Sequence, residues 1–122
     1  LNWKPVRKYL DHGITVMSSS DVPSTVSANP FVALYALVTR KNNLGREVAP
    51  QEAVTREEAL RTYTAKGTWI TREETLKGSI EAGKVADLVV LDRDYSAGPA
   101  EEIKDIQVEK TMVAGNVLWE RS

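Results

Sequence analysis

"KGSIEAGKVADLVVLD", residues 77–92, is where the chain changes character. Gly78 and Gly83 punctuate a polar stretch, and an unbroken apolar run from Leu88 to Leu91 follows, bracketed by Asp87 and Asp92. A short β-branched run between turn residues reads as a strand. Asp87 stands at its entry, where a carboxylate commonly accepts backbone N–H groups of a nearby turn, here Gly83-Lys84. That makes Asp87 and Asp92 structural rather than a reactive carboxylate pair, and Lys84 exposed turn chemistry. Downstream, "VEKTMVAGNVLWER", residues 108–121, holds two β-rich runs. They join at Gly115-Asn116, residues that tolerate positive φ, and predict a hairpin.

Upstream of Leu76 the pattern is helical. "KPVRKYLDHG", residues 4–13, predicts a short helix with Pro5 in its first turn and Gly13 beyond its end. "ITVM", residues 14–17, predicts a short buried strand. Phe31, Leu34, Tyr35 and Val38 in "NPFVALYALVTR" lie at i, i+3, i+4 and i+7, an amphipathic helix. Thr55 and Glu58 form a capping box for a further helix, with Leu60 and Tyr63 toward the core and Gly67 as its interruption. "TREE" recurs at 71–74 and suggests a second cap. Helix, glycine, strand and polar loop in succession is half of a βα repeat.

The 122 residues are 42% apolar and 27% charged, values of an ordinary globular domain. Net charge is −1 without a run of like charge, so neither a nucleic acid nor an acidic membrane surface is an expected partner. The absence of cysteine removes disulfides and thiolate sites, and leaves the redox compartment open, with the cytoplasm favoured. No apolar run approaches the roughly 18 residues a spanning helix needs. His12 is the one histidine, too few for most hydrolytic metal sites, and it reads as a polar residue in a last helical turn. Trp3, Trp69 and Trp119 read as core or interface anchors, and Tyr9, Tyr35 and Tyr63 as packing residues with a polar tip. Glu57, Glu58, Glu73 and Glu74 read as helix-end and surface charges, since adjacent helical residues do not converge.

"VMSSSDVPS", residues 16–24, admits two readings. Ser, Asp and Pro favour turns, which is the commoner explanation. The other is an aspartate presented for catalysis or metal binding at the mouth of a barrel.

The pattern from Gly83 to Asp92 resembles the C-terminal signature of the amidohydrolase superfamily of metal-dependent hydrolases. "ITVMSSSD", "EALRTYTAKGTW" and "VEKTMVAGNVLWE" occur in that family's usual order. The likeness is strongest to amidohydrolase family 3, which includes N-acyl-amino-acid and N-substituted formamide hydrolases. The resemblance implies an α/β parent, a TIM barrel plus a composite β-sandwich built from both chain ends. This chain is then an α+β fragment. Residues 1–75 would be the barrel's end, with strand 8 and the helices after it, and residues 76–122 the C-terminal part of the sandwich. Asp21 falls just past strand 8, on the face where barrel active sites lie. The family's aspartate there contacts the metal or its bound water and carries the proton to the leaving group, so Asp21 is the implied catalytic and metal-binding residue. Ser20 is a turn residue only.

The implied cofactor is Zn²⁺ or another divalent metal in the complete enzyme and none in this chain alone. The implied partner is a small amide-type substrate, with hydrolysis of a non-peptide C–N bond as the reaction. A full barrel takes about 250 residues, and the family's His-x-His pair has no counterpart here, so the chain alone is expected to be inactive. The alternative is a non-catalytic binding or scaffold domain derived from an amidohydrolase. Strand edges and the Phe31/Leu34/Val38 face are expected to lack cover, which predicts a homo-oligomer or a missing N-terminal portion.

Overall fold

Pro5 leads into helix α1 (Val6–Asp11), and its fixed φ suits that position. These elements come from a computed structural model, which describes residues 4–25 and 27–122. Trp3, one of the expected anchors, lies outside them. Helix α2 (Pro30–Thr39) begins where Asn29 Oδ1 accepts the Phe31 amide at 2.9 Å, satisfying a donor with no partner inside the helix. A 3-10 turn, Pro50–Glu52, leads to α3 (Arg56–Tyr63), whose Thr55–Glu58 capping box forms as the sequence predicts.

Three expectations for the helical half are corrected. The break after α3 comes at Thr64 (φ −119°, ψ −97°), and Gly67 lies inside the next helix, α4 (Ala65–Thr71). The second "TREE" ends α4 rather than starting a helix: Arg72 adopts φ +59° and the Thr71 hydroxyl donates back to the Thr68 carbonyl at 3.1 Å. On α3 the buried residues are Ala59 and Thr62, and Leu60 is 38% exposed, while the half-buried Tyr63 packs against the core as expected. The small Ala59 lets α3 approach closely, so its packing face is set by bulk rather than by apolarity.

Residues 14–17 form no strand. A strand exists only through a pairing neighbour, and the described residues place none beside this run. The three strands that do form are β1 (Leu88–Leu91), β2 (Val108–Val113) and β3 (Asn116–Glu120), antiparallel in the order β1-β2-β3. The hairpin turn is Ala114-Gly115, one residue earlier than expected, because Asn116 pairs with Val113. Both turn residues have positive φ (+49° and +79°), the twist that suits a two-residue hairpin.

Between β1 and β2 runs a 3-10 helix, Ala100–Asp105, which no sequence pattern announced. It packs on α2 and closes the core. Phe31, Leu34, Tyr35, Val54, Ala59, Tyr95, Ile103 and Ile106 form one buried cluster with Val6. The face expected to be bare is therefore covered, with Phe31 only 7% and Leu34 only 2% exposed and Val38 packed against the cluster. Trp69 and Trp119 are not core residues; each is about half exposed. Among the described residues, no further strand pairs with the outer edge of β1 or of β3.

Candidate functional site around Asp21

Asp21 lies in the loop between α1 and α2. The loop is fixed at its start, where the Ser18 amide donates to the Thr62 carbonyl of α3 at 3.1 Å. The Asp21 backbone takes φ +52°, a left-handed conformation that aspartate tolerates better than most residues. The Asp21 amide donates to Ser19 Oγ at 3.4 Å, its carbonyl accepts from the Ser24 amide at 2.8 Å, and Thr25 Oγ1 donates to the Ser20 carbonyl. The backbone is thus a turn, as the commoner reading required. The side chain is exposed, and no described residue donates to its carboxylate. Ser19, Ser20, Thr25 and Ser27 line a neighbouring cleft of about 500 Å³ beside Lys41 and Lys104.

The remaining candidates are structural. His12 is exposed, with Nδ1 2.8 Å from the Lys8 carbonyl of its own helix. Asp92 accepts from the Gln107 amide at 3.0 Å and pairs with Arg93, and these two contacts hold its carboxyl below the usual range. Asp87 does not serve the Gly83-Lys84 turn; its Oδ1 accepts from the Ala114 amide at 2.9 Å and steadies the hairpin. Lys84 is not exposed turn chemistry either, because its side chain is 16% exposed and Nζ reaches the Glu74 carbonyl at 2.8 Å and Ser79 Oγ at 2.6 Å.

Glu58 does more than a surface charge: Oε2 accepts from the Thr55 amide at 2.9 Å while Oε1 receives Arg7 Nη1 at 2.7 Å. The arginine, then the Thr55 amide, hold this carboxyl below its ordinary value. The sequence also concealed Glu52, buried at 5% exposure, whose Oε2 accepts the Lys8 amide at 3.1 Å. No local signal marks that contact, which spans 44 residues. Among the described residues, no three His, Cys, Asp or Glu side chains gather where they could hold a metal ion.

The model of the Amidohydrolase family matches residues 1–119. The chain belongs to the amidohydrolase family. It is 40% identical over 118 residues to N-substituted formamide deformylase of Arthrobacter pascens, covering 97% of this chain and 22% of that protein. It is 31% identical over 116 residues to imidazolonepropionase of Thermoplasma acidophilum, covering 94% of this chain and 26% of that one. An amidohydrolase from Thermotoga maritima MSB8 superposes with a TM-score of 0.70 at 25% identity, over 95% of this chain and 26% of that one. Escherichia coli guanine deaminase superposes with a TM-score of 0.68 at 19% identity, over 94% and 30%, a likeness of fold alone. The chain therefore spans about a quarter of the length of these proteins. Among the described residues, no helix is long and apolar enough to cross a membrane.

Proposed function

We propose that this chain is the C-terminal portion of a metal-dependent amidohydrolase that hydrolyses a non-peptide C–N bond, with Asp21 as its contribution to the active site. The observation that carries the reading is the 40% identity to N-substituted formamide deformylase across 97% of the chain. In this reading residues 14–17 are the eighth strand of a TIM barrel and pair once the rest of the barrel is beside them. Residues 76–122 are then the C-terminal part of the composite β-sandwich.

A divalent ion such as Zn²⁺ supplies Lewis-acid chemistry, lowering the pKa of a bound water and polarising a carbonyl. The described residues do not make a site for it on their own, since a catalytic ion takes three or so protein ligands and Asp21 offers one. The other donors belong to the remainder of the polypeptide, and the segment alone is inactive. Asp21 acts on protons. Its carboxylate accepts one from the attacking water and returns it to the departing nitrogen, which would otherwise leave as a poor amide anion. An exposed carboxylate with no cation or amide holding it can do both.

The test is the complete polypeptide assayed on N-substituted formamides, with released amine measured, beside Asp21→Asn. The substitution removes the proton acceptor and keeps the volume. It should lower kcat by about 10² to 10⁴ with the melting temperature preserved. Retention of most of kcat refutes the role of Asp21; a wild-type protein inert on formamides and related amides with every divalent metal sinks the reading itself.

A further inference from the structure

We propose that Glu52 is a positioning residue for Asp21, acting through α1; the inference rests on the reading of Asp21 given above. Glu52 ends the 3-10 turn before α3 and is 5% exposed. Its Oε2 accepts the amide of Lys8 at 3.1 Å, one of the first-turn N–H groups that α1 cannot satisfy internally. From Lys8 the chain runs through α1, where the Tyr9 carbonyl receives the Ile14 amide at 2.9 Å. It then crosses 15–17 to Ser18, whose amide reaches the carbonyl of Thr62, itself 1% exposed. Both ends of the run that delivers Asp21 are thus fastened to one unit, Glu52–Thr62. That unit is seated on the core by the Val54 amide, which donates to the Leu37 carbonyl of α2 at 3.2 Å, and by the buried side chains of Val54 and Ala59.

Among the described residues, three hydrogen-bonded ties hold α1 and its loop to this unit, and they differ in kind. The Arg7–Glu58 pair is roughly a third exposed on each side, where ion pairs contribute little. The Ser18–Thr62 tie joins backbone to backbone and carries no side-chain choice. Glu52 is the buried side-chain tie. Burying a carboxyl group costs more than burying an apolar side chain of the same size, which would fill the space equally well. What the carboxyl adds is direction: an acceptor aimed at one amide, which sets where α1 sits on Glu52–Thr62 and so where the loop after it presents Asp21. Ångström-scale placement of a reacting group is worth about a hundredfold in rate, so such a residue belongs to the site's geometry as well as to its stability.

The experiment uses the complete hydrolase and three substitutions, Glu52→Ala, Glu52→Gln and Glu52→Asp, assayed well below the melting transition. Glu52→Ala should lower kcat about tenfold with KM nearly unchanged. Glu52→Gln keeps an acceptor oxygen at the same reach and should restore most of kcat. Glu52→Asp withdraws the acceptor by one methylene and should lower kcat with the fold intact, which keeps the test decisive where the alanine variant fails to fold. A residue that served stability alone would lower the melting temperature and leave kcat per folded molecule unchanged in both, and that result overturns the proposal. With Asp21→Asn inactive and these variants fully active, only the role of Glu52 fails; with Asp21→Asn active, the assignment of Asp21 fails first.

Discussion

Arg56 and Tyr95 exchange two hydrogen bonds across the fold: Arg56 Nη1 donates to the Tyr95 carbonyl, and Tyr95 Oη donates to the Arg56 carbonyl at 3.0 Å. The same guanidinium reaches the carbonyls of Ala97 at 2.8 Å and Gly98 at 2.6 Å. The start of α3 is thereby riveted to the loop after β1, so the helical and β halves share one core. Tyr95→Phe removes one bond and should cost about 1 kcal/mol in urea unfolding. Arg56→Ala strips the donor from three carbonyls and should cost about 2 to 3 kcal/mol, and Arg56→Lys should recover little because it lacks the planar fork. Equal costs for Tyr95→Phe and Arg56→Ala would contradict this account.

Glu58 predicts a pH dependence. Its folded pKa lies below the ordinary 4.5, chiefly through Arg7 and then the Thr55 amide. As pH falls, the unfolded chain therefore takes up this proton first. The contribution is complete above the ordinary value and disappears as pH drops through the depressed folded one. Arg7→Gln removes the leading cause. The stability gap between wild type and Arg7→Gln should be widest above the ordinary carboxyl value and narrow steadily as pH falls below it. A gap that stays constant as pH falls means that Glu58 is not the group responsible.

The hairpin turn invites a stabilising change. Ala114 is held at φ +49°, next to Gly115 at φ +79°, and an alanine pays for the left-handed region where asparagine pays less. Ala114→Asn keeps the amide that donates to Asp87 and creates the preferred Asn-Gly pair. It should raise stability by about 0.5 to 1 kcal/mol. A lower melting temperature would show that the turn is set by something other than its two central residues.

The 122-residue chain by itself should associate. Among the described residues, no strand pairs with the outer edges of β1 and β3, and Val89, Leu118 and Trp119 are each about half or more exposed. The covered α2 face contributes nothing to this, contrary to the expectation from sequence; the edges do. Light scattering at high micromolar concentration is expected to report a dimer or larger species. A stable monomer would show that the sheet tolerates its open edges.

What the sequence determined by itself is local. The Thr55–Glu58 cap, the Asn29–Pro30 helix start and the β2–β3 hairpin all depend on groups close to one another along the chain. Their hydrogen bonds are written into adjacent positions. The family, too, was legible there, through the resemblance that Gly83 to Asp92 carries. Asp21 was marked by that resemblance, while its turn backbone followed from serine and proline neighbours. Tertiary structure decided the rest. Ile103 and Ile106 became the cover of α2, Arg56 found Tyr95, and Glu52 found Lys8, contacts whose partners lie tens of residues away. Leu60 turned outward and Ala59 inward because a packed face is chosen by the shape of what approaches it. Residues 14–17 show the same limit from the other side: their composition is that of a strand, but a strand's hydrogen bonds belong to two segments, and the described residues supply only one.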